Sequence, residues 1–98
     1  MTTSPPVGDK PQVRIYYCNR CRWLMRSAWM MQELLTTFEE ELGGASLIPN
    51  NEGHFSVWVN EQCVWERQQD EGFPQLPVLK QRVRDCVNPE KSLGHSDH

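Results

Sequence analysis

Between Val13 and Leu42 the apolar residues change period once, and that single change restricts the chain to few folds. In "VRIYY", residues 13 to 17, Val13, Ile15 and Tyr17 alternate with Arg14 and Tyr16, the two-residue repeat of a half-buried strand. Further on, Leu24, Ala28, Met31, Leu35, Phe38 and Leu42 recur at intervals of three or four. That is the apolar stripe of a helix about 20 residues long, with Gly43-Gly44 as its left-handed terminator. A strand feeding straight into a long amphipathic helix has two apolar faces to bury. The rest of the chain has to supply the partners.

The remaining segments supply them. "ASLIP" (45 to 49) reads as a short second strand, closed by Pro49 and a polar "NNEG" turn. Phe55, Val57 and Val59 then alternate with His54, Ser56 and Trp58, and a further run follows from Gln62 to Glu66. Asn60-Glu61 between the two runs fits a tight hairpin connection, without the glycine usual at its second position. Finally Leu76, Leu79, Val83 and Cys86 or Val87 repeat at helical spacing. Pro77 falls in the first turn, where a missing N–H is harmless.

The expected order is β-α-β-β-β-α, an α/β domain spanning residues 12–87. A right-handed βαβ unit and an added antiparallel hairpin give a four-stranded mixed sheet with both helices on one face. The opposite face, carrying Arg14, Tyr16, Ser56 and Trp58, is left open. Residues 1–11, with Pro5, Pro6 and Pro11, read as a flexible leader. Residues 88–98, "NPEKSLGHSDH", read as a flexible polar tail in which His95 and His98 are solvated.

Charge and hydropathy narrow the function. The net charge is −3 and the ten basic residues form no dense run, which argues against a nucleic-acid partner. No apolar run approaches the ~20 residues that cross a bilayer, so no membrane association is expected. The N-terminus lacks the apolar core of a signal peptide, and the expected location is cytoplasmic. Structural disulfides are rare there, so the four cysteines need a reading other than a secreted framework.

Two of the four, Cys18 and Cys21, are three apart where strand gives way to helix. Cys18 is expected at the strand end and Cys21 in the first helical turn. Unpaired N–H groups and the positive end of the helix dipole favour a thiolate there. Arg20 and Arg22 add thiolate-stabilising charge. Such thiols ionise at about 3.5–7.5 rather than ~8.5, and the thiolate is the form that attacks disulfides. The spacing lets the second sulfur resolve a mixed disulfide. The pair reads as a catalytic centre cycling between dithiol and disulfide on protein or glutathione disulfides. It needs no dissociable cofactor, only an external reductant such as glutathione or a thioredoxin system.

The main rival is structural zinc, which wants four ligands, usually two close-spaced pairs. Cys63 and Cys86 are single, and neither a second CxxC nor an HxxxH is present. They read as buried apolar residues, and no metal is assigned. With Leu24 at the centre of the buried stripe, Met25 and Trp29 project about 100–140° away from it, and Trp23 and Met30 lie at the opposite margin. Large apolar side chains outside the stripe and beside a redox pair suggest a docking surface for a partner protein or a second copy in a homodimer. A non-enzymatic alternative follows: a binding module whose cysteine state controls docking.

Three segments carry a more specific likeness: "VRIYYCNRC" leading into the long helix, "GHFSVWVNEQCVWER" as the hairpin, and "EGFPQLPVLKQRVRDCV" as the last helix. With them the chain resembles the Rdx family, the relatives of selenoproteins W, T and H, and is most similar to its short bacterial W-type members. The resemblance implies a thioredoxin-like topology and a redox role in cell redox homeostasis. In selenoprotein members the selenocysteine occupies the position of Cys21, which points to Cys21 as attacker. General thioredoxin logic points instead to Cys18. The proline that typically precedes the third strand of thioredoxins has no counterpart here, since Pro49 lies five residues before His54.

Overall fold

The structure, a computed structural model, describes residue 3 and residues 8–94; the remainder of the proline-rich leader, together with His95 and His98, lies outside the described residues. The elements follow the expected order: β1 (Gln12–Cys18), α1 (Leu24–Thr37), β2 (Gly44–Asn50), β3 (Phe55–Val59), β4 (Gln62–Glu66) and α2 (Leu76–Val87). The strands form one mixed sheet in the order β2-β1-β3-β4. β1 pairs parallel with β2 and antiparallel with β3, and β3 pairs antiparallel with β4. Pro49 is tolerated within β2 because that strand is at the sheet's edge, where an absent donor costs no ladder bond.

Alternation decides which face is buried. Val13, Ile15 and Tyr17 of β1 and Phe55, Val57 and Val59 of β3 form the floor of the core. Met30, Leu34 and Phe38 of the α1 segment and Leu79 and Val83 of α2 close over it. Both helices therefore lie on the same side of the sheet. Lys80, nearly buried in α2, joins the helices through a 3.1 Å ion pair to Glu33 of α1.

The helix stripe differs from the expected one in phase and length. Its buried positions are Ser27, Met30 and Leu34, continuing to Phe38, while Leu24 is exposed. Met31 and Leu35 flank the core half-buried. Two apolar stripes overlap on this helix, and only packing against the sheet selects between them. α1 ends at Thr37, and turns carry the chain from Phe38 to Leu42, with Leu42 N–H donating to the Phe38 carbonyl at 2.9 Å. Gly43 and Gly44 are not left-handed terminators, since neither has a positive φ. They are needed for close approach: a Cβ on Gly43 would lie 2.9 Å from the Lys10 carbonyl, and one on Gly44 2.8 Å from Gln12 Oε1.

The hairpin turns as expected over Asn60-Glu61. Asn60 takes the left-handed conformation (φ 51°), which asparagine tolerates better than most residues. Its side chain accepts from Gln12 N–H at 2.9 Å while its own N–H donates to the Gln12 carbonyl. One residue thus fastens the hairpin to the start of β1. The register between β3 and β4 slips at Val57/Trp58, so Val64 is an extra residue on β4. Arg82 of α2 donates to the Val64 carbonyl at 3.0 Å and lies over the Trp65 ring.

Arg82 also pairs with Asp70 at 3.0 Å, and Asp70 accepts from Glu66 N–H at 2.9 Å. These contacts, the backbone bond first and Arg82 second, hold the Asp70 carboxyl below its ordinary value of 3.8. A depressed folded pKa contributes stability above the unfolded value, and that stability is lost as pH falls through the lower folded value. Asp70→Asn is therefore expected to flatten the acid limb of the stability curve below about pH 4, with little change in that limb's shape near neutrality. Urea unfolding at a series of pH values checks this.

The described part of the C-terminal tail is tied back onto the domain. Asn88 Nδ2 donates to Glu41 Oε2 at 3.1 Å, Lys91 pairs with the same oxygen at 3.3 Å, and Leu93 packs against the core.

Candidate functional site

β1 ends at Cys18, and four residues of turn separate it from the Trp23 cap of α1. Cys21 therefore precedes the helix rather than standing in its first turn. The reversal uses Arg22 in the left-handed conformation (φ 60°), with Arg22 N–H donating to the Asn19 carbonyl at 3.1 Å. A non-glycine residue held there stores about 1 kcal/mol of strain, which the surrounding fold has to offset. The turn brings the Cys18 and Cys21 sulfurs to disulfide-bonding distance, with Cα atoms 5.3 Å apart. The backbone N–H of Cys21 donates to Cys18 Sγ at 3.2 Å.

The two cysteines differ in access. Cys18 is 1% exposed, whereas Cys21 faces solvent. Both line a groove of about 340 Å³ with Arg20, Asn51, Glu52 and Gly53. The opposite wall comes from the β2–β3 loop, which parallel pairing delivers to this place: Cys18 sits opposite Asn50, and Asn19 N–H donates to the Asn50 carbonyl at 3.2 Å. Glu52 and Gly53 are both left-handed, which folds the loop tightly back. Asn51 has its N–H on Asn50 Oδ1 and its carbonyl on His54 N–H. Its backbone is thus already paired within the chain.

Other singled-out residues divide between buttress and surface. Trp23 is half-buried and meets Phe73 edge-on at 4.8 Å, so it packs inward and not on an exposed docking patch. Phe73 in turn contacts Phe55 at 4.9 Å, Arg26 lies 4.3 Å over Phe73, and Arg67 lies 5.2 Å over Trp23. The Gly72-Phe73-Pro74 segment is held by Trp65 Nε1 donating to the Gly72 carbonyl at 2.8 Å. It braces the turn that carries the cysteines. Met25, at 85% exposure, and Trp29, at 50%, do project outward from the first two turns of α1, together with Leu24. Arg20 and Arg22 are both exposed, and Arg20 lines the groove.

Cys63 is exposed on the edge strand and Cys86 half-buried in α2, rather than both being core residues. Burial pushes both thiols up, so they are less ionised than ordinary cysteines. Neither lines the groove. No group of three or more His, Cys, Asp or Glu side chains converges on a metal position among the described residues. No helix among them is long and apolar enough to cross a membrane.

Residues 12–85 match the model of the Rdx family. The chain belongs to the Rdx family. Solved Rdx-like structures agree with this over most of the domain. The crystal structure of a selenoprotein W-related protein from Vibrio cholerae is 50% identical, with a TM-score of 0.79, covering 82% of this chain and 100% of that one. A crystal structure of a protein from Bordetella parapertussis is 48% identical, also with a TM-score of 0.79, covering 81% of this chain and 100% of that one. No curated protein matches the chain. The Rdx fold is thus the thioredoxin-like α/β arrangement expected, and its cysteine pair at disulfide distance is consistent with a redox role.

The β2–β3 loop is what sequence reasoning missed at this site. A usable signal was present, since the C-terminal ends of neighbouring parallel strands converge and commonly carry an α/β site.

Proposed function

We propose that this Rdx protein is a thiol–disulfide oxidoreductase in which Cys21 attacks and Cys18 resolves. The observation that carries the reading is the unequal access of two sulfurs already within bonding distance. In the reduced protein the Cys21 thiolate attacks a substrate disulfide, forming a mixed disulfide and releasing one substrate thiolate. The Cys18 thiolate, stabilised by the Cys21 N–H, then attacks Cys21 Sγ. The intramolecular disulfide forms and the second substrate thiolate leaves. Two electrons have passed from the pair to the substrate, and an external dithiol or glutathione restores the starting state.

Arg20 and Arg22 favour the anionic sulfur by their positive charge, screened because both are exposed. A protein disulfide is favoured as substrate by the apolar surface of Met25 and Trp29 on the adjoining helix. Glutathione remains the natural small-molecule alternative. A cytoplasmic setting would supply the recycling reductant. The test is turnover of a disulfide substrate by catalytic amounts of protein with recycling reductant. Sustained turnover abolished by both Cys18→Ser and Cys21→Ser supports the reading, and stoichiometric oxidation without turnover removes it.

That second outcome would favour the alternative, a redox-responsive binding module docking through Met25 and Trp29. For either reading, Trp29→Glu is expected to leave the fold intact and weaken association with a protein partner or a second copy roughly tenfold or more. Sedimentation of the protein alone and capture by the mixed-disulfide partner check the two occupants separately.

A further inference from the structure

We infer that the open face of the sheet carries a binding site for a small aromatic anion, a planar ring bearing a carboxylate or phosphate. The site is separate from the redox pair and does not rest on the proposed exchange chemistry. It is a depression of about 350 Å³ lined by Arg14, Tyr16, His54, Ser56 and Trp58, with Asn50 and the carboxylate of Glu61 completing it. That volume lies at the small-ligand end of the usual range. Antiparallel pairing assembles it, because Tyr16 is opposite Ser56 and Arg14 opposite Trp58.

The side chains are held in position before any ligand arrives. Ser56 is 1% exposed, and its Oγ accepts from Trp58 Nε1 at 3.0 Å and lies 2.7 Å from His54 Nε2. One buried hydroxyl therefore fixes the orientation of an indole and an imidazole. The Tyr16 ring meets His54 edge-on, and its hydroxyl accepts from Arg14 Nη1 at 3.1 Å. Such fixing lowers the ordering cost of binding. Half-buried Tyr16, across from Ser56, and Trp58, two residues along β3, provide ring surface next to it.

Charge selects the ligand's sign. Arg14 has five N–H donors, of which one serves Tyr16 and another the Asn60 carbonyl at 2.7 Å. Its carboxylate neighbour Glu61 is 4.0 Å away on a side chain that is almost fully solvated. Such an exposed pair is weak, so the acidic group of a ligand can replace Glu61 beside the guanidinium. Lys80, Arg82 and Lys91, by contrast, each have a carboxylate within 3.3 Å. The ring is placed over Ser56 against Trp58 and Tyr16, with its acidic group on Arg14.

The experiment follows the Trp58 indole N–H resonance, identified by its loss in Trp58→Phe, during titration of the full chain. Benzoate, adenosine monophosphate, inorganic phosphate and benzylamine are the probes. Saturable shifts with benzoate or the nucleotide are expected, weakened roughly tenfold by Arg14→Gln and unchanged by Cys21→Ser. Benzoate and the nucleotide separate a carboxylate from a phosphate ligand. Equal affinity of wild type and a folded Arg14→Gln variant overturns the inference. So do preference for benzylamine, equal binding of phosphate alone, and absence of saturation with either aromatic anion at millimolar concentrations.

Discussion

Cys18→Ser should yield a protein that captures a disulfide reagent and keeps it, while Cys21→Ser should capture it at least about tenfold more slowly. The asymmetry comes from access. Cys21 is exposed at the turn, but Cys18 is almost wholly covered and its sulfur already receives an amide hydrogen bond. With Cys18 gone, the adduct on Cys21 has no internal thiolate to displace it. With Cys21 gone, the remaining thiol has to meet a bulky reagent from within the fold. Mass spectrometry after brief exposure to glutathione disulfide, with peptide mapping of the adduct, reads both effects. Rapid adduct formation on Cys18 in the Cys21→Ser protein would reverse the assigned roles.

Phe55→Ala is expected to cost about 3–5 kcal/mol, a large share of the 5–15 kcal/mol that holds a domain together. Phe55 is fully buried in β3, so the truncation removes apolar burial and leaves a cavity. It also removes the ring against which Phe73 rests, and Phe73 supports Trp23 at the cap of α1. The melting temperature should fall by more than about 12 °C, measurable by calorimetry. Phe73→Ala, at a half-buried position, should cost less stability but loosen the cysteine turn. Faster amide exchange at Cys21 to Trp23 would reveal that loosening, and unchanged exchange there would count against the brace.

These two results bear on how much was legible in the residues. The strand alternation fixed which side chains of β1 and β3 face the helices, and therefore that Arg14, Tyr16, Ser56 and Trp58 share the open face. A two-residue period leaves no other choice of face once one residue is known to be buried. α1 was less determined because Leu24, Ala28, Met31 and Leu35 compete with Ser27, Met30 and Leu34 as stripes. The winning one contains a serine, Ser27, whose buried hydroxyl has no hydrogen-bond partner among the described residues. Hydropathy argued against that stripe, and the position of the sheet decided for it.

The cysteine pair was legible from its spacing, and its unequal exposure was not. The groove that both sulfurs line takes its opposite wall from the β2–β3 loop, which is distant in sequence and reaches the site only through parallel pairing. Trp23 was placed on the surface for a similar reason. Its partner Phe73 comes from a segment without periodicity, so no pattern in α1 could announce the contact. Cys63 was read as buried because strand residues of its type usually are. In the structure it is exposed on the edge strand, paired across from Trp58 next to the hairpin turn.

The slip in register between β3 and β4 has a consequence for how the molecule behaves when crowded. A free sheet margin invites other chains to add strands, the first step toward fibrils. On β4 the surplus residue breaks the regular spacing of donors and acceptors, and the Arg82 guanidinium occupies the Val64 carbonyl. On the far margin, Pro49 offers no N–H at all. An incoming strand would find interrupted templates at both ends of the sheet.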